Sequence, residues 1–112
     1  MLEGGRGPLK VTVVRGGGIT GLVVTTVADS DALAPADAET LGRKVREAGL
    51  LDALPGVGEP LPDAQTYEIT VDFGRQRTHA VVADGAMPPG VRALLSWVES
   101  VPGREETVSR PR

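Results

Sequence analysis

The chain has no cysteine, a single histidine, and one residue each of tryptophan, tyrosine and phenylalanine. Without cysteine there is no disulfide framework, no thiolate nucleophile and no thiolate-held zinc. That composition suits the cytoplasm, where the chain is expected to reside. With aromatics at 3%, the core has to be assembled from Val, Leu, Ile and Ala. No apolar run approaches the roughly 20 residues that cross a bilayer. The opening Met1-Leu2-Glu3-Gly4-Gly5-Arg6 sets an acid and glycines where a secretion signal carries its apolar core. A membrane is therefore not an expected partner. Basic charge is also short, with 12 Lys and Arg against 15 Asp and Glu and a net charge of -3. Phosphate binding needs a basic surface, so nucleic acid is not expected as the main partner either.

What is present is ordinary globular material, 40% hydrophobic and 24% charged, in 112 residues. That length supports one core, since two would each be too small to be stable. The domain is expected over residues 8–103. The leader 1–7 and the charged, Pro-containing tail 104–112 have nothing to bury and are expected to be flexible.

Leu9 to Arg15 alternates apolar and polar residues, the period-2 mark of a half-buried strand. Gly16-Gly17-Gly18 and a second β-branched run, Ile19 to Val27, make the pair a hairpin. Two registers fit. Val11 pairs with Val23 if Arg15 faces Ile19, and with Val24 if the loop has one more residue; a bulge at Gly21 would decide. A helix follows, opened by Pro35 with Asp37 and Glu39 complementing the helix dipole in its first turn and closed at Gly49. Its apolar stripe is Ala38, Leu41, Val45 and Ala48. Leu50 to Leu54 is read as a tight apolar turn and Pro55 to Pro62 as an ordered loop.

The second half repeats the plan. Tyr67, Ile69, Val71 and Phe73 alternate with Glu68, Thr70 and Asp72. Gly74-Arg75 suits a two-residue type II′ turn. That turn sets Val71 opposite Thr78, Ile69 opposite Ala80 and Tyr67 opposite Val82 on the apolar face. Asp72 then faces Arg77, and Thr70 faces His79, on the wet one. Pro88-Pro89 opens the last helix, with Val91, Leu94, Leu95, Val98 and Val101 buried and Gly103 at its end. The expectation is an α+β fold of two layers, a four-stranded antiparallel sheet with two helices in the order ββαββα, both helices on one sheet face.

A search for chemistry finds little. His79 faces Thr70, not an acid or a nucleophile, and reads as a surface residue. One His among scattered acids does not make a metal site, and Asp29, Asp31, Asp37 and Glu39 lack the spacing of a calcium loop. Gly16-Gly17-Gly18-Ile19-Thr20-Gly21 leads into a strand, whereas phosphate loops lead into a helix N-terminus. Neither a catalytic set nor a cofactor is expected.

Two apolar residues stand out on restrained segments. Ile19 sits on a glycine-flanked tip with more glycine than a turn needs. Leu61, between Pro60 and Pro62, is held extended at little entropic cost on binding. Each has a plain alternative, a flexible tip for Ile19 and a tuck under the core for Leu61. Trp97, on the flank of the last helix's stripe, is read as a core cap in preference to an interface anchor.

Several stretches, in order and spacing over about residues 9 to 98, resemble the emfourin family of metalloprotease inhibitors. They are Lys10-Val11-Thr12-Val13 with Arg15-Gly16-Gly17-Gly18-Ile19-Thr20-Gly21, then Ala48-Gly49-Leu50-Leu51-Asp52-Ala53-Leu54-Pro55. Pro62-Asp63 leading to Tyr67-Glu68-Ile69-Thr70-Val71 follows, and Pro88-Pro89-Gly90-Val91-Arg92-Ala93-Leu94-Leu95-Ser96-Trp97-Val98 completes the set. The chain departs where the family often carries Phe, at Ile19 and at Leu50-Leu51. The resemblance implies a monomeric, reversible inhibitor whose partner is a thermolysin-like zinc metalloprotease. The candidate contact residues are Arg15, Gly16, Gly17, Gly18, Ile19 and Thr20 of the tip, and Glu59, Leu61 and Asp63 of the proline-rich loop, with either segment open as the one that makes the contact. Ile19 or Leu61 would fill an apolar subsite, and Glu59 or Asp63 would approach the protease's zinc. The alternative is an adaptor that binds a host protein without inhibiting it.

Overall fold

Strand formation starts where the side chains alternate. The computed structural model describes residues 8–17, 22–49, 65–83, 85 and 87–109. Its elements are β1 (Leu9–Gly17), β2 (Val23–Asp29), α1 (Pro35–Glu47), β3 (Gln65–Phe73), β4 (Gln76–Ala83), α2 (Pro89–Val98) and β5 (Glu105–Ser109). The five strands form one sheet in the order β4-β3-β1-β2-β5, with every neighbouring pair antiparallel. The expected four strands are thus five, and the order is ββαββαβ.

The second hairpin has the expected pairing throughout: Val71 with Thr78, Ile69 with Ala80, Tyr67 with Val82, Asp72 with Arg77 and Thr70 with His79. Gly74 takes a φ of 59°, while Arg75 has no positive φ. A type I′ turn needs both central residues positive, so this is the type II′ pattern. Ile69, Val71 and Val82 are buried, whereas Glu68, Arg77 and His79 are exposed.

The first hairpin departs from expectation. Val11 pairs with Ala28, not with Val23 or Val24, and pairing with β2 ends at Arg15 opposite Val24. The second strand covers Val23–Asp29, not Ile19 to Val27; Gly21, the proposed bulge, lies outside the described residues. β1 continues to Gly17 because its other edge pairs with β3. Val23-Val24-Thr25-Thr26-Val27 is β-branched at every position, so neither face is marked by pattern and the register is open to slip.

Both helices lie over the face that carries Leu9, Val11, Val13, Ala28, Ile69, Val71 and Val82. α1 buries Leu41 and Val45, with Ala48 completing the stripe and Ala38 packed at its margin. It stops at Gly49, whose φ is 75°. α2 buries Val91, Leu94, Leu95 and Val98. Trp97 packs half-buried against this core as a cap. No aromatic residue is among the fully buried side chains; Tyr67, Phe73 and Trp97 pack partly buried against the core. No described helix is long and apolar enough to cross a membrane.

α2 ends at Val98, with Glu99 as its C-cap, and so stops short of Gly103. Pro102 disfavours helical backbone at Val101. Val101 is buried all the same, outside the helix. Gly103, at φ 91°, instead serves the turn into β5. A Cβ there would stand 3.1 Å from the Ala32 carbonyl oxygen and 3.2 Å from Leu33 Cδ2.

The helices are in close contact where α1 ends and α2 begins. A Cβ on Gly90 would lie 2.9 Å from the Glu47 carbonyl oxygen and 3.3 Å from Ala48 Cα. Both are backbone atoms, so the contact cannot open without moving a helix. Alanine is the better helix former by about 1 kcal/mol, yet Gly90→Ala is expected to destabilise the fold by about 1–3 kcal/mol. Urea unfolding reads the sign directly, and a stabilised variant would mean that the helices do not approach this closely.

Candidate functional site

The segment 104–112 was expected to be a flexible end, but its residues Glu105–Ser109 add a strand to β2. All five side chains are exposed. The side chains of Glu105–Ser109 bury little, and the strand is held mainly by backbone pairing with β2, which a side-chain pattern does not register.

The pairing of β1 with β3 matters more for the site. Gly17, the last residue of β1, stands opposite Gln65, the first of β3. The tip segment 18–21 therefore leaves the sheet beside the point where segment 50–64 joins it. Gly18, Ile19 and Thr20, and likewise Glu59, Leu61 and Asp63, lie outside the described residues, as do Leu50 to Leu54 and the Pro55 to Pro62 loop. What the structure brings together is the attachment of the two candidate segments, on adjacent strands at one end of the sheet.

Arg15 and Gly16 can be described in full. Arg15 is in phase with Leu9, Val11 and Val13, so it belongs to the helix-covered face, between Tyr67 and Val24. Its Nη1 lies 3.5 Å from Glu99 Oε2 at the end of α2. The two side chains are 34% and 28% exposed, so solvent screens the pair and its worth is under about 1 kcal/mol. Geometrically it ties the base of the tip to the helix layer. A Cβ on Gly16 would meet Val23 Cγ2 at 3.6 Å, an ordinary contact, and Gly16 has no positive φ. Neither sterics nor backbone conformation demands glycine there.

The polar groups elsewhere form local pairs. Arg77 Nε donates to Asp72 Oδ1 at 2.6 Å. That hydrogen bond, helped by the carboxylate's charge, holds the guanidinium above its usual pKa. His79 Nε2 lies 3.4 Å from Glu68 Oε1, a diagonal neighbour on the face away from the helices. The Asp31 backbone N–H donates to Asp29 Oδ1 at 2.9 Å, so this acid closes a turn. Among the described residues no group of three or more His, Cys, Asp or Glu is placed to hold a metal ion.

The face away from the helices was not singled out by sequence. Reading across β4-β3-β1-β2, its end row is Arg77, Asp72, Lys10 and Asp29, alternating in charge. Towards the tip it becomes more apolar, with half-buried Val14 and Val23 and Val81 47% exposed, although the exposed Glu68 stands between Val14 and Val81. The Emfourin family model matches residues 13–99, a span that runs from mid-β1 to the C-cap of α2 and contains both candidate segments. No curated protein and no solved structure matches the chain.

Proposed function

This chain belongs to the Emfourin family, and from that premise we propose that it is a reversible, non-covalent protein inhibitor of thermolysin-like zinc metalloproteases. In this reading it acts as a monomer in the cytoplasm, is no enzyme itself, and blocks the protease's active-site cleft. The observation that supports a cleft-directed role is the register of β1 with β3. Gly17 opposite Gln65 gives the glycine tip and the proline-rich segment a common base, so both can present to one partner. Ile19 or Leu61 supplies the apolar anchor, and the backbone beside it pairs with the cleft. Glu59 or Asp63 brings a carboxylate towards the partner's metal. Binding energy in such contacts concentrates in a few buried anchors, and a rigid sheet beneath them limits the entropy lost on docking.

The test is a titration of the purified chain into a thermolysin-like metalloprotease, with cleavage of a small peptide substrate as the readout. The expected result is loss of activity near a stoichiometric ratio, with the added chain uncleaved. Full activity against several such enzymes would remove this reading. Binding without inhibition would assign the chain as an adaptor.

A further inference from the structure

β5 covers the β2 edge in a register that a second β2 can match residue for residue. Its register is Val23 with Ser109, Val24 with Val108, Thr25 with Thr107, Thr26 with Glu106 and Val27 with Glu105. Now let the β2 of a second copy take that slot antiparallel, centred on Thr25. Val23 would pair with Val27, Val24 with Thr26 and Thr25 with its own copy. Five residues would replace five, Thr25 would stand where Thr107 stands, and valines 23 and 24 would occupy the places of glutamates 105 and 106. In-phase residues also stay in phase: Val24 and Thr26 of each copy remain on the helix-covered side, and Val23, Thr25 and Val27 on the other.

We propose that the β2 edge is a self-association surface of this chain, whose occupant is β2 of a second copy, and that β5 is the strap that closes it. Three observations carry this. First, all of β5's side chains are exposed, Val108 at 57%, so the strap is held almost wholly by backbone hydrogen bonds and is released at little hydrophobic cost. Second, the edge it covers, Val23-Val24-Thr25-Thr26-Val27, is β-branched throughout and uncharged, the composition that pairs most readily when an edge is bare. Third, Glu105 and Glu106 of the strap stand where valines of a second copy would, and acids on an edge strand are a known guard against strand addition. The strap also lies beyond residues 13–99 matched by the family model. This inference is independent of protease inhibition.

The experiment compares the full chain with two variants by light scattering after size exclusion, across a wide concentration series. One variant is the chain ended at Gly103. The other keeps full length with Thr107→Pro and Val108→Pro. Adjacent strand residues aim their N–H groups to opposite sides, so one of these prolines must remove a donor to β2. The full chain is expected to keep the monomer mass, and both variants to show a concentration-dependent doubling of mass. Thr25→Lys in the shortened chain sets like charges face to face on the two-fold axis and is expected to restore the monomer. Variants that stay monomeric with native circular dichroism would overturn the proposal, as would a full chain that dimerises as strongly as they do. A Thr25→Lys dimer would overturn the register. Hydrogen exchange of the unaltered chain tests the strap without any substitution. The amides of β5 should exchange well before those of β1, and equal protection would overturn a releasable strap.

Discussion

Leu41→Ala is expected to lower the free energy of unfolding by about 2–5 kcal/mol. Leu41 is fully buried in the middle of α1, in a core that joins β1, β3 and both helices. Truncation removes three carbons from water-free surroundings and leaves a hole that flanking Val and Leu side chains cannot fill without moving backbone. The core is β-branched for the most part, with Val11, Val13, Val45, Val71, Val82, Val91 and Val98 all buried. Stiff χ1 angles leave them little room to relax into the space, which places the loss towards the upper part of the range. A domain of this size has about 5–15 kcal/mol of stability in total, so a large share of it rests on this one side chain. Urea unfolding followed at the helical band of the circular dichroism spectrum measures the loss. Arg43→Ala, two residues away and exposed, is the control and should shift stability by less than about 0.5 kcal/mol. A Leu41→Ala loss under 1 kcal/mol would mean that α1 is not packed on the sheet as described.

The sequence was legible wherever one face of an element differs from the other. Tyr67, Ile69 and Val71 alternate with Glu68, Thr70 and Asp72, and Gly74 pins the turn, so every pair of the second hairpin followed from local rules. Leu41 and Val45, or Leu94 and Val98, mark helix faces in the same way. Legibility failed at β2, where Val23 to Val27 offers the same shape to both faces, so its side-chain pattern marks no register against β1. It failed at β5 for the opposite reason, because strand formation there depends on the unpaired backbone of β2 and not on its own side chains. Pro102 explains the early end of α2, a local signal that was outweighed by the pull of Val101 as an apolar stripe residue. For the candidate site, local pattern nominated Ile19 and Leu61 separately. What no local pattern contains is that Gly17 and Gln65 are neighbours, since that contact spans strands separated by a hairpin and a helix.

That adjacency shapes the second large effect, which is on inhibition and not on folding. Ile19→Gly and Leu61→Gly are each expected to weaken inhibition of a thermolysin-like protease by about 30-fold, the equivalent of about 2 kcal/mol for an anchor that loses its pocket. Each variant should unfold at the same urea concentration as the parent chain if its side chain serves the partner and not the core. Inhibition constants from the peptide-cleavage assay, measured alongside unfolding midpoints, separate the two roles. Loss of inhibition with unchanged stability assigns that residue to the interface. Loss of stability at Leu61 assigns it to the underside of its own loop, and leaves Ile19 as the anchor. The double variant adds information because the two segments join adjacent strands. Anchors in separate subsites should give additive losses, whereas residues that share one subsite should couple. If neither substitution changes inhibition, the contact lies elsewhere on the chain. The tip end of the sheet face away from the helices, where Val81 is exposed beside Glu68, is then the surface to alter next.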